Sequence, residues 1–399
     1  MDGSECKHEG NVWSHATASA SYLWFFPLAF QHCPSILQDE TRRRGLARVR
    51  PGPYLGKVQK RGVGGTYFSG LRALFVGAPW YRRELLENIV YDPAFNVRGK
   101  VWDLATGDII LLNERGFVTM GWHGMTPLTS TQLEDRYPRN EPYEHYSEIK
   151  AFSRGDFFCF NDFFVSPTTQ LVACLVHEVD SQSEETGGKE VYGAILSDLF
   201  QAFNGNFCPE HFQDGTGYYF QALRQNVSKF VHDRRQDQTR AWLEKIRAPP
   251  YNKKLFLLTN SNFDYSELLL NAAYGEDWRD LFDVIIYRGA KKYGFFDQGH
   301  AEKPFLSYTK GSAVDGPPVE TSLVEHVIER GQKELISGNV EELTALLGKD
   351  ARVVYFGDDV VGDIHYSKTK SSWSAVGIAE ELSENEERRR SFTTCPEQS

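Results

Sequence analysis

The stretch that decides the fold is Arg352-Val353-Val354-Tyr355-Phe356-Gly357-Asp358-Asp359-Val360-Val361-Gly362-Asp363-Ile364. A short apolar run ends in Gly-Asp, and a second Gly-Asp follows. This is how a buried parallel strand presents two carboxylates at its carboxyl tip. Such a pair suits Mg²⁺, a hard cation that takes oxygen ligands and keeps much of its water. Asp358 and Asp363 are therefore the candidate metal ligands, with a turn and a second helix cap as the plain structural alternative. A metal site of this kind calls for a partner elsewhere, a nucleophilic Asp.

Reading upstream, Asn339 to Leu347 predicts a helix feeding that strand. Lys254-Leu255-Phe256-Leu257-Leu258 predicts a strand closed by Thr259-Asn260-Ser261. A helix follows, with Asp264 and Glu267 at the spacing of a capping box. Phe282 to Tyr287 predicts the next strand, with Lys291-Lys292 just beyond it. Strand, helix, strand, helix, strand is the order of an α/β fold with a parallel sheet, whose sites lie at the carboxyl ends of the strands. Before Pro249-Pro250 the texture differs. Val101 to Leu112 predicts a hairpin around Thr106-Gly107-Asp108, and Leu171 to Val176 a buried helix or strand. Helical spacing links Tyr219, Leu223, Val227 and Phe230, then Trp242 and Ile246. Residues 1–85 show little periodicity; the run Leu71 to Gly77 is a candidate strand.

The chain has 399 residues and a net charge of −10, which argues against a general nucleic-acid binder. Residues 1–90 hold 12 Lys+Arg against 7 Asp+Glu, a net of +5, so the remainder carries −15 of the overall −10. A basic opening on an acidic body suggests a segment of different origin. The six cysteines form no Cys-x-x-Cys pair, as expected for reduced thiols and a cytoplasmic location. The apolar patch Tyr22 to Phe30 is too short to span a bilayer, so no membrane partner is expected.

Three polar clusters lie at the expected strand ends. Thr259, Asn260 and Ser261 offer a hydroxyl, an amide and backbone N–H groups entering a helix, a good phosphate cradle or a plain helix cap. The Lys pair can neutralise a phosphate or sit solvated at the surface. No Gly-x-Ser-x-Gly elbow is present, and Gly62-Val63-Gly64-Gly65 lacks the Lys of a P-loop.

Taken together, these residues resemble the haloacid dehalogenase superfamily, and more closely the 5′-nucleotidase domain-containing proteins, relatives of cytosolic purine 5′-nucleotidase. The resemblance runs over about residues 86–382. It rests on Leu258-Thr259-Asn260-Ser261, Lys292-Tyr293-Gly294-Phe295-Phe296, Ser337-Gly338-Asn339-Val340, Gly357-Asp358 and Gly362-Asp363-Ile364. Upstream, Tyr91-Asp92-Pro93-Ala94-Phe95-Asn96-Val97-Arg98-Gly99 and Asn161-Asp162-Phe163-Phe164 resemble cap segments. The resemblance implies a parallel Rossmann-like core over 249–382 and a large and mainly helical inserted cap over 86–248, while composition alone predicts an irregular, disordered or mispredicted segment over 1–85 and a flexible tail over 383–399. It implies a Mg²⁺-dependent phosphohydrolase acting on purine nucleoside monophosphates, with a possible homo-oligomer. By the same resemblance Thr259, Asn260, Ser261 and Lys292 bind phosphate, Thr259 and Lys292 serve catalysis, Asn161 and Phe164 contact the base, and Asp358 and Asp363 serve the metal. Aromatic core is the alternative for Phe164.

One departure matters most. The family attacks phosphate with the first Asp of an Asp-x-Asp-x-Thr motif on its central strand, and this sequence contains no Asp-x-Asp. Without it no phospho-aspartyl intermediate forms, and the leaving alkoxide lacks its general acid. The expectation is a nucleotidase-like protein without turnover. The alternatives are a nucleotide-binding scaffold, or a gene whose true opening carries the motif. The sheet is expected to have a gap where the central strand belongs, unless residues 71–77 fill it.

Overall fold

The computed structural model describes residues 28–30, 68–70, 72, 81–162, 164–182, 188–207, 209–231, 233, 238–292, 294–297, 303–308, 318–319, 333–348 and 351–378. The chain is an α/β protein. Its first described strand is β1 (Leu28–Phe30). A second, antiparallel sheet follows: β2 (Lys100–Asp103), β3 (Asp108–Leu112), β4 (Val118–His123), β5 (Thr126–Pro127) and β6 (Phe157–Phe160), in the order β5-β4-β3-β2-β6. The expected hairpin is the β2–β3 pair, with Trp102 opposite Ile109. Helices then dominate to residue 247: α1 (Thr169–Ser181), α2 (Lys189–Phe207), α3 (Tyr218–Gln225) and α4 (Gln238–Arg247). Leu171 to Val176 resolves as helix, inside α1. In α4 the buried residues are Leu243 and Ile246, whereas Trp242 is 38% exposed and meets Phe356 edge-on.

The core sheet contains β7 (Leu255–Leu258), β8 (Val284–Tyr287), β9 (Phe305–Ser307), β10 (Pro318–Val319) and β11 (Glu334–Ser337), ordered β1-β7-β8-β11-β9-β10. β12 (Val354–Gly357) and β13 (Ser374–Gly377) form a parallel pair beside it. The helices α5 (Phe263–Tyr274) and α6 (Val340–Leu347) connect the strands. β7, β8 and β11 run parallel. All four β7 residues are buried, and so are all four of β8. The faces alternate: Phe256, Leu258, Val284 and Ile286 pack into one cluster, and Leu255, Leu257, Ile285 and Tyr287 into another. A sheet covered on both faces has no solvent side, which is why these strands read as unbroken apolar runs. Burying each such side chain contributes about 1.5–3 kcal/mol.

Two local expectations change. α5 opens from Asn262 with no side-chain cap; Asp264 instead accepts a bond from the Tyr265 N–H, so the capping box is absent. The α6 start agrees with the sequence, since Asn339 Oδ1 accepts from the Glu342 N–H at 2.9 Å.

The slot beside β7 is the larger correction. Leu71 and residues 73–77 lie outside the described residues. It is β1 that lines up antiparallel with β7, with Leu28 opposite Leu257 and Phe30 opposite Leu255, and it also lies against β12. Part of the irregular opening is therefore built into the fold. Phe68 and Tyr81 are buried there too, in the same cluster as Trp102 and Leu171. That cluster continues into Tyr265 and Leu269 of α5, where the Tyr219 and Tyr265 hydroxyls meet at 2.8 Å. The helical region and the core thus share one apolar interior. Residues 379–399, including most of the charged tail, lie outside the described residues.

The antiparallel sheet is anchored by a polar knot. His123 Nδ1 lies 2.7 Å from Asp108 Oδ1, and its Nε2 lies 2.7 Å from Asp180 Oδ2. Arg136 also donates to Asp108, at 2.7 Å. The Asp108 hydrogen bond leads in raising the His123 pKa above its ordinary value, and Asp180 adds to it. A raised folded-state pKa means the proton stabilises the fold below the unfolded value of about 6.5, and that stability fades as pH rises through the folded value. The melting-temperature gap between the wild type and His123→Gln is expected to be larger at about pH 6 than at about pH 9. A gap independent of pH would show that His123 holds the sheet only as a neutral group.

Candidate active site

Three loops meet at the carboxyl ends of β7, β8 and β12. The first is Thr259-Asn260-Ser261. The Thr259 N–H extends the ladder to Ile286 O at 2.9 Å, and Thr259 Oγ1 accepts from the Ser261 N–H at 3.1 Å. The Thr259 hydroxyl proton is thereby left available. Ser261 is fully buried, and its hydroxyl has no hydrogen-bond partner among the described residues. An unsatisfied buried hydroxyl costs about 1–3 kcal/mol, a cost that a bound oxygen would relieve.

The second loop follows β8. Arg288 and Ala290 both adopt positive φ, 51° and 49°. Non-glycine residues in this region are strained, and such strain concentrates at functional sites. Between them Gly289 is needed for space, because a Cβ there would sit 2.6 Å from Leu258 Cδ1. The loop is stapled to the first one: the Gly289 N–H donates to Thr259 O at 2.9 Å, and the Lys291 N–H to Asn260 Oδ1 at 2.9 Å.

The bend turns Lys291 inward, not Lys292. Lys291 is 4% exposed, and its Nζ donates to Asp363 Oδ1 at 2.6 Å. Lys292 is only half-buried. The buried cation of this loop is Lys291, and half-buried Lys292 beside it is the lysine that the resemblance assigned to phosphate. Two adjacent lysines after a strand differ only in which way the loop turns them, and that turn depends on Arg288 and Ala290.

The third loop is the opening motif. Gly357 ends β12, and a Cβ there would lie 2.2 Å from Asp363 Cβ. At Gly362 a Cβ would lie 2.6 Å from Asp359 Oδ2. The two glycines of the paired Gly-Asp are thus the room the carboxylates occupy. Residues Val360–His365 form one π-type turn capped by Asp359, which accepts from the Val361 N–H at 2.9 Å. Single π turns recur at functional sites. Asp363 is 1% exposed and, besides Lys291, accepts from the Tyr355 hydroxyl at 3.0 Å. The Asp358 pKa is pushed up to about 7, first by burial and then by Asp363, with Lys291 opposing.

Charges of the antiparallel-sheet region also act on these loops. Asp162 follows β6, and its Oδ1 accepts from the Phe164 and Val165 N–H groups at 2.7 and 2.8 Å. Its pKa is pushed up to about 6, first by burial and then by the charge of Asp359. Arg98 pulls both Asp162 and Asp358 back down. Asp162, Asp359 and Arg98 are thus charges coupled to these loops that the sequence motifs did not single out. Each lay inside or beside a quoted motif, but nothing local marks a charge as facing another region. Asn161 is half-buried beside Asp162. Phe164 is 2% exposed, within the apolar cluster that also holds Trp102. Its ring therefore lies among apolar side chains, the arrangement of an aromatic core residue.

Among the described residues, no group of three or more His, Cys, Asp or Glu side chains is arranged to hold a metal ion. Asp363 is engaged by Lys291 and Tyr355, so Asp358 is the carboxylate best placed to meet a cation.

A model of the 5′ nucleotidase family matches residues 60–393. The chain belongs to the 5′ nucleotidase family. It is 28% identical over 309 residues to 5′-nucleotidase domain-containing protein 1 of Bos taurus, covering 76% of this chain and 64% of that protein. Against the Homo sapiens protein of the same name it is 28% identical over 308 residues, covering 76% and 64%. Against 5′-nucleotidase domain-containing protein 2 of Rattus norvegicus it is 25% identical, covering 73% of this chain and 49% of that one. The chain therefore spans less than two thirds of the length of these curated relatives. The loops at Thr259, Lys291 and Asp358 all fall within the family match. No helix among the described residues is long and apolar enough to cross a membrane.

Proposed function

We propose that this family member binds a purine nucleoside monophosphate at the three-loop cleft and does not hydrolyse it at an enzymatic rate. The observation that carries the reading is the Lys291–Asp363 pair set beside Thr259, Asn260 and the unpartnered Ser261 hydroxyl. The Thr259 and Ser261 hydroxyls and the N–H groups opening α5 would surround the phosphate. The buried Lys291 would offset part of its charge. Mg²⁺ fits a donor set of this kind: Asp358 would hold it, with phosphate oxygen and water completing the shell. When bound it would neutralise charge on the phosphate.

This chain's own residues do the rest of the positioning. Asp363 orients Lys291, Tyr355 orients Asp363, and the charges of Asp162 and Arg98 act on the site from the inserted region. No Asp-x-Asp occurs in the sequence, which supports the reading that the covalent nucleophile is missing. The free thiols of Cys159 and Cys174 suit a reducing, cytoplasmic setting.

Calorimetric titration with IMP and Mg²⁺, run beside a phosphate-release assay, tests the reading. Saturable binding without phosphate release is expected, and Thr259→Val should weaken binding by about tenfold. Absence of binding would remove the site. Robust release that disappears in Asp358→Asn would establish turnover and overturn the second half of the proposal.

A further inference from the structure

A second cavity lies at the opposite end of the same strands. Its volume is about 250 Å³. Leu255 opens β7, Val284 opens β8 and Lys333 precedes β11, so the cavity sits at their amino ends, away from Thr259 and Lys291. Phe256, Phe282 and Leu346 give it apolar walls, while Arg247, Lys254 and Lys333 bring three cations to it against one carboxylate, Asp283.

The carboxylate is already satisfied. Asp283 Oδ1 accepts from Arg247 at 3.0 Å, and its Oδ2 accepts from the Leu255 N–H at 2.7 Å. Lys333 is half-buried, donates to Arg279 O, and lies 3.9 Å from Asp280 Oδ1. Burial and then Arg247 press its pKa down, with Asp280 opposing. Lys254 is exposed at the rim. In a chain of net charge −10, cations crowded around an apolar hollow are a specific feature. An apolar cavity of about 150 Å³ takes a benzene ring, so this one has room for a body of one or two rings.

We propose that this cavity is a binding site for a small aromatic anion, a single phosphate, sulfonate or carboxylate on a one- or two-ring body. The rings lie against Phe256, Val284 and Leu346, and the anion meets Lys333 and Lys254 at the mouth. The site is separate from the three-loop cleft and does not depend on what that cleft binds.

Calorimetry on the full chain tests this with naphthalene-2-sulfonate as probe and its neutral sulfonamide in parallel. One saturable site is expected, with the sulfonate bound about tenfold tighter than the sulfonamide, since a hydrogen bond to a charged group is worth about 1.5–3 kcal/mol. The double variant Lys254→Met with Lys333→Met should weaken sulfonate binding about tenfold or more. Leu346→Trp, which fills the hollow, should abolish it. Thr259→Val should leave it unchanged. No saturable binding, or binding indifferent to the lysine double variant, overturns the site. Equal affinity for the sulfonamide overturns the anionic ligand. If Leu346→Trp does not fold, the lysine double variant alone decides, because one of its lysines is exposed and the other half-buried.

Discussion

Replacing Lys291 with Met is expected to lower the unfolding free energy by about 3–5 kcal/mol, whereas Lys292→Met should cost less than about 1 kcal/mol. The asymmetry follows from burial. Lys291 and Asp363 are 4% and 1% exposed and bonded at 2.6 Å. Taking away the ammonium leaves a buried carboxylate facing Asp358, with only the Tyr355 hydroxyl and the more distant Asp359 N–H, at 3.3 Å, to satisfy it. Adding Asp363→Asn to Lys291→Met should recover part of the loss, because the stranded charge is then gone. Urea unfolding midpoints of the four proteins give the comparison. Equal losses at Lys291 and Lys292 would mean that the loop after β8 does not turn as described.

Trp373→Ala is expected to cost about 3–5 kcal/mol, in the range for deleting a buried ring. Trp373 is buried just before β13 and packs against Phe256, Phe295, Phe296 and Tyr355 with ring centroids 5.3 to 6.2 Å apart. Its Nε1 also donates to Thr344 Oγ1 at 2.9 Å, tying α6 to the same cluster. One ring thus touches β7, the segment after Lys291, and the strand that carries the Gly-Asp pair. Tyr355, whose hydroxyl orients Asp363, loses a packing neighbour in the variant. Trp373→Phe should cost less, since most of the ring volume stays. A loss below about 1 kcal/mol in Trp373→Ala would contradict this packing.

Much of the core was readable from residue order alone. Leu255 to Leu258 and Val284 to Tyr287 are apolar runs of the kind a doubly covered parallel sheet accommodates, and Asn339 announces α6 by its cap. The Thr259-Asn260-Ser261 and Asp358 loops follow from where those strands end. The reading was weaker where a residue's role depends on a distant partner. Asp162 and Asp359 sit far apart in sequence and became neighbours only through the packing of β6 and its loop against the core. Trp242 fits the helical period yet stays exposed, because α4 turns Leu243 and Ile246 inward. Phe164 belongs to a motif that suggested base contact, and its ring is enclosed by its own region.

The paired Gly-Asp motif by itself determined the strand end and the two carboxylates, and together with the Thr259 and Lys292 motifs it pointed to the family. Strand period, glycine spacing and carboxylate type are local properties, and a sequence carries them directly. The tertiary structure alone decided that Asp363 is spent on Lys291 and Tyr355, and that Leu28–Phe30 lies beside β7. Those outcomes depend on distances between segments far apart in the chain, and on the direction a strained loop gives one of two adjacent lysines.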